Sequence, residues 1–186
     1  MPEYLNRKNE RIKRVGEYLT KYITSKGLHE NRKVILEIGC GHGHWLSSFA
    51  AKNKENLFIG IDLITKRIEK CNKKKDSLGL TNLFFIKAEA LEFLSALSSE
   101  LQVDSIFFMF PDPWPKKRHF KNRLIQNHLL NKIADCSATD SKIFFRSDHS
   151  GYFQWTLEHL ECNESWQIID EEWPHESASF FQDLFE

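Results

Sequence analysis

The sequence predicts an α/β fold, a parallel sheet with helices on both faces, built as a single domain over residues 1–186. Three observations lead there. Short apolar runs alternate regularly with longer amphipathic ones, which is the pattern of successive βα units. No internal repeat or low-complexity linker interrupts the alternation. A chain of 186 residues with 41% hydrophobic content is long enough to close around one core and short for two.

Each element follows from its local pattern. A basic amphipathic helix is expected over Arg7–Thr24, with Ile12, Val15, Leu19 and Ile23 at helical spacing. Strands are then expected at Val34–Ile38, Leu57–Ile61, Leu83–Ile86 and Val103–Phe108, separated by helices at His44–Lys52, Thr65–Leu78 and Ala90–Leu97. A loop rich in proline and basic residues follows the fourth strand. Beyond it come a helix at Leu124–Cys136, a strand at Lys142–Arg146, a helix at Tyr152–Leu160 and a last strand at Gln167–Glu171.

Composition excludes several classes. The longest uncharged apolar run near the middle, Ile106–Phe110, is far too short to cross a bilayer, and the N-terminal segment lacks the apolar centre of a signal peptide. A soluble cytoplasmic protein with no membrane partner is expected. The cysteines, Cys40, Cys71, Cys136 and Cys162, include no C-x-x-C pair and read as reduced structural thiols. No two of the eight histidines have metal-ligand spacing, so no metal site is expected. Net charge is zero, but it is segregated along the chain: residues 1–146 carry all 26 Lys and Arg against 16 acids, while 147–186 carry 10 acids and no base. Such a basic body can meet a phosphate backbone, because counterion release depends on local cations rather than on the total. The segment Lys66–Lys75 fits equally a solvated helix face.

Two segments carry chemistry. The first strand carries Glu37 near its end, followed by the turn Gly39-Cys40-Gly41-His42-Gly43, where glycines let the backbone approach a ligand at the carboxyl edge of the sheet. A dinucleotide fingerprint would need a glycine where His44 stands. Asp62, ending the second strand, is placed to accept hydrogen bonds from both hydroxyls of a ribose. Together these residues describe an adenosyl pocket better than a dinucleotide pocket. Glu89, after the third strand, reads equally as an adenine contact and as a helix-start acid favoured by the dipole. In the second segment two prolines bracket Asp112 and hold its carboxylate at the sheet edge. Trp114 then precedes five cations, Lys116, Lys117, Arg118, Lys121 and Arg123, setting a stacking surface beside phosphate-binding charge.

The run PDPWPKKRH, with LEIGCGHG upstream and Arg146-Ser147-Asp148-His149 downstream, closely resembles the tRNA (guanine-N7-)-methyltransferases, over roughly Arg32–Phe185. That resemblance implies a Rossmann-like class I methyltransferase sheet, S-adenosyl-L-methionine as cofactor, and tRNA as substrate, methylated at guanosine 46 of the variable loop. It implies cofactor contacts at Glu37, Asp62, Glu89 and Asp112, catalysis by Asp112, and substrate contacts at Lys116 and Asp148. The cofactor set is completed by Gly39, Gly41 and Gly43, and the substrate set by Lys117, Arg118, Ser179 and Gln182. The family's Thr-x-Phe/Tyr-Glu type motif is met here by Ser177-Ala178-Ser179-Phe180-Phe181-Gln182, and the final strand that follows it in the family is expected to be missing. A methyltransferase for another base or a small molecule, and a non-catalytic RNA-binding subunit, share parts of this pattern. Both a monomer and a homodimer are compatible with it.

Overall fold

The computed structural model describes residues 3–176, so Ser179 and Gln182 lie outside the described residues. Five strands, β1 (Val34–Ile38), β2 (Leu57–Asp62), β3 (Leu83–Lys87), β4 (Val103–Met109) and β5 (Ser137–Arg146), form one parallel sheet in the order β3-β2-β1-β4-β5. The helices are α1 (Glu3–Tyr22), α2 (His44–Lys52), α3 (Thr65–Ser77), α4 (Ala90–Ala96), α5 (Asn127–Cys136) and α6 (Ser150–Glu161), with 3₁₀ turns at Thr24–Lys26 and Lys117–Asn122.

Because the central strands are covered on both sides, they read as unbroken apolar runs. Val34, Leu36 and Ile38 of β1 pack with Val15 and Leu19 of α1, Phe93 of α4, Leu129 and Ile133 of α5 and Tyr152 of α6. Ile35 points the other way, joining Phe58, Phe85 and Phe107 with Trp45, Leu46 and Phe49 of α2 and Ile68 and Cys71 of α3. The N-terminal helix therefore shares the sheet's core. It is also held by Arg11, which makes a two-pronged bond to the buried Glu92 carboxylate at 2.5 and 2.8 Å.

Helix and strand order agree with the sequence pattern as far as α6, with three boundaries shifted by three residues or more. Helix α1 begins at Glu3, where an acid in the first turn bonds Arg7 one turn on. Helix α5 begins at Asn127 rather than at Leu124, because the Leu124 and Ile125 amides donate instead to the Tyr152 hydroxyl at 3.0 and 3.2 Å. Strand β5 reaches back to Ser137 through a bulge that includes Asp140, at φ 61°.

The strand expected at Gln167–Glu171 is absent among the described residues. The reason lies in its two flanking tryptophans. Trp166 packs with the α5 side of the sheet and donates its indole N–H to the Leu130 carbonyl at 3.1 Å, whereas Trp173 packs with Phe107 and Phe144 on the α2 side. A segment that changes face over seven residues wraps the outer edge of β5 and cannot run in register beside it. Lys142–Glu171 and Arg146–Glu176 ion pairs and a bond from the Trp45 indole to the His175 carbonyl (3.0 Å) fasten the strap.

Candidate active site

The strand order reverses between β1 and β4, so the loops leaving these neighbours diverge and open a crevice at their carboxyl ends. A cavity of about 400 Å³ lies there. Of the residues expected to bind cofactor, it brings together Gly39, Asp62, Glu89 and Asp112, from the ends of four different elements. Ile64, Arg67, Pro111, Trp114 and Asn122 complete much of its wall.

Asp62 organises the turn. Its carboxylate accepts from the Gly41 amide at 3.1 Å, the Ile64 amide at 2.8 Å and the Arg67 guanidinium at 3.3 Å, while the Gly39 and Cys40 amides both donate to the Ile61 carbonyl at 2.9 Å. The first and third glycines then have different duties. A Cβ on Gly39 (φ 82°) would meet nothing within 4 Å, so its backbone faces open space at the cavity. A Cβ on Gly43 (φ 63°) would lie 2.6 Å from Phe85 Cζ and 3.0 Å from Cys71 Sγ, so Gly43 allows α2 to close on the sheet. Neither Gly41 nor Gly43 lines the cavity.

Glu37 also lies behind the lining, at 3% exposure, and one of its carboxyl oxygens is buried without a hydrogen-bond partner. Burial, with Cys71 and Asp62 nearby, pushes its carboxyl up to about 8. Glu89 lines the cavity, and one oxygen caps α4 by accepting from the Glu92 amide at 3.0 Å, which is the helix-start role its position allowed.

The loop after β4 departs from ordinary backbone at both ends. Phe110 (φ 49°) and Trp114 (φ 45°) bracket Pro111-Asp112-Pro113 in the left-handed region. The Phe110 amide donates to the Arg146 carbonyl at 2.9 Å, which sets this loop beside the β5–α6 turn that carries the exposed Asp148. Asp112 is exposed at the cavity wall, and Trp114 meets His119 edge-on with ring centres 5.7 Å apart. Lys116, Lys117, Arg118 and Lys121 are exposed in and around the second 3₁₀ turn. Arg123 is not: at 3% exposure it is inside the protein, so four of the five expected cations face solvent.

The sequence reading missed Arg67 and Asn122 at the cavity, and the exposed apolar pair Leu63 and Ile64 that follows Asp62. The adjacency of Leu63 and Ile64 to the strand-end acid was the available signal for the pair, whereas Asn122 gave none, being one polar residue within a basic run. Among the described residues no group of acids, histidines and cysteines is arranged to hold a metal, and no helix is long and apolar enough to cross a membrane.

A family model described as "Putative methyltransferase" matches residues 31–182. A tRNA (guanine-N(7)-)-methyltransferase of Mycoplasmopsis pulmonis is 36% identical over 151 residues, covering 80% of this chain and 71% of that protein. Its counterpart in Magnetococcus marinus is 33% identical over 135 residues, covering 73% of this chain, which thus spans only about half (53%) of that relative's length. Among solved structures, an antibiotic-related methyltransferase is 25% identical with a TM-score of 0.52, covering 72% of this chain and 69% of the other.

Proposed function

The chain belongs to the tRNA (guanine-N(7)-)-methyltransferase family, and on that premise we propose that it transfers a methyl group from S-adenosyl-L-methionine to N7 of a guanine in tRNA. We assign the target to guanosine 46 of the variable loop, the activity to one domain over residues 1–186, and its location to the cytoplasm. The observation that carries the proposal is the meeting of the Asp62 and Asp112 carboxylates in one cavity, beside exposed cations.

The residues present fit the cofactor. Backbone at Gly39 is open on the side a ligand would approach, and Asp62, Glu89 and Asp112 line the same cavity. Asp62 would hold the ribose hydroxyls, Glu89 would contact the adenine, Ile64 would supply apolar surface, and Glu37, Gly41 and Gly43 would shape the turn from behind. When bound, the cofactor supplies a methyl group on a sulfonium centre, open to in-line attack. Guanine N7 has an in-plane lone pair and no proton, so Asp112 acts without removing one: its carboxylate stabilises the positive charge the purine gains and holds the base's amide edge. Holding the reacting atoms at near-attack distance can supply about 7–11 kcal/mol in well-aligned cases. Lys116, Lys117 and Arg118 bind phosphate, Asp148 and Trp114 flank the extruded base, and Ser179 and Gln182 complete the substrate side.

The test is incubation of the chain with methyl-labelled S-adenosyl-L-methionine and unmodified tRNA. Label is expected in the RNA. Calorimetry should show cofactor binding that Asp62→Ala weakens about ten- to a hundredfold, the loss of hydrogen bonds to a charged acceptor. A chain that binds no cofactor would be a non-catalytic RNA-binding subunit.

A further inference from the structure

Arg123 ends the basic run, but every feature of its surroundings differs from those of the cations before it. Its Nε donates to the Pro113 carbonyl at 2.9 Å and its Nη1 to the Gly151 carbonyl at 3.3 Å. Pro113 directly follows Asp112, and Gly151 lies in the first turn of α6, three residues after Asp148. The guanidinium lies over the Phe120 ring at 3.8 Å, with the Tyr152 and Trp155 rings each at 5.1 Å. Among the described residues no carboxylate forms an ion pair with it, and burial lowers its pKa. Taking an arginine out of water for two carbonyls and three rings is costly, and the planar fork is what lets one side chain bridge both carbonyls.

The loop needs such a tie. Left-handed backbone at Phe110 and Trp114 persists only where surrounding contacts enforce it. The Phe110 end is held by the Arg146 carbonyl, and the Trp114 end has Arg123 on its neighbour Pro113. We propose that Arg123 is a positioning residue for methyl transfer, which fixes the Asp112 loop to the start of α6 and so sets the Asp112 carboxylate against the Asp148 turn. The kinetic part rests on the N7-methyltransferase reading above.

Arg123→Gln and Arg123→Lys test it, since lysine keeps the charge but has no fork to span both carbonyls. Three readouts are compared with wild type. Exchange of the Phe110 amide proton, which the loop's bond to the Arg146 carbonyl protects, should rise about tenfold or more in both variants, with β1 and β2 still protected. Single-turnover methyl transfer at saturating tRNA and cofactor should fall about 10- to 100-fold, as for a misplacement near 1 Å. The salt dependence of tRNA binding should stay within about 0.3 of the wild-type slope, because no phosphate contact is lost. Unchanged exchange at Phe110 would overturn the clamp. A slope lowered by about 0.9 in Arg123→Gln and restored in Arg123→Lys would make Arg123 a phosphate ligand instead. If wild type itself transfers no methyl group to tRNA, the function reading fails while the exchange result still decides the clamp. Should Arg123→Gln not fold, Arg123→Lys carries the same three comparisons.

Discussion

At the scale of single residues, the two buried or cavity-facing acids at the ends of β1 and β4 make opposite predictions about charge. On the role proposed for Asp112, Asp112→Asn, which keeps size and one acceptor but loses the charge, should lower single-turnover methyl transfer about 10²- to 10³-fold without abolishing it. Raising the pH from 5 to 9 should not restore the loss, and a mutant with the wild-type rate would remove Asp112 from the catalytic site. Glu37 is held as the neutral acid over most of that range, its carboxyl pushed up to about 8 from an ordinary 4.5. A group that binds its proton more tightly in the folded chain contributes stability that is full below the unfolded value and lost as pH rises through the folded one. Urea unfolding should therefore show wild-type stability falling between about pH 5 and 8 relative to Glu37→Gln, by up to about 1.4 kcal/mol per pH unit. Parallel pH profiles would mean that Glu37 is ionised in the fold. Asp112 was legible in the sequence because two prolines announce a stiffened carboxylate. The separate duty of Arg123 was not, since a run of cations looks uniform until Gly151, Tyr152 and Trp155, some 30 residues on, bury one of them.

At the scale of elements, the proposed function divides cofactor and RNA between the glycine turn and the basic 3₁₀ turn. Gly43→Ala should cost about 2–4 kcal/mol in urea unfolding, combining left-handed strain with overpacking against Phe85. Gly39→Ala should cost only the strain, about 1–2 kcal/mol, and should lose cofactor affinity as well. Equal destabilisation by the two would contradict the division of roles. Replacing Lys116, Lys117 and Arg118 together by alanine should weaken tRNA binding and reduce its salt slope by up to about three charge equivalents, leaving cofactor affinity nearly intact. An unaltered slope would move the RNA surface to the exposed cations of α1. The βα alternation could be read from sequence because strands covered on both faces leave continuous apolar runs. The strand expected at Gln167–Glu171 misled for the same reason: Ile168 and Ile169 look like a buried run, yet they are exposed while Trp166 and Trp173 anchor to opposite faces.

At the scale of the whole molecule, charge segregated along the sequence is partly reunited in space. Acids of the C-terminal segment meet cations of β5 through Lys142–Glu171 and Arg146–Glu176, and Arg146 also lies over the Trp173 ring at 4.1 Å. The exposed Lys116, Lys117, Arg118 and Lys121 have no such acid partner among the described ion pairs, as the phosphate contacts proposed for this turn require. Sequence distance thus concealed which cations are spoken for, while the family resemblance, carried by the glycine turn and the Asp112 loop, already pointed to the N7-methyltransferase relatives. On the proposed function this surface presents one guanine N7 to the methyl donor beside Asp112. Unmodified tRNA treated with the chain and S-adenosyl-L-methionine, then cleaved chemically at 7-methylguanosine and resolved on a sequencing gel, tests it most directly. One new cut at guanosine 46 of the variable loop is expected, absent with Asp62→Ala at low cofactor concentration. Methylated tRNA that yields no such cut, or cuts scattered over many guanines, would contradict it.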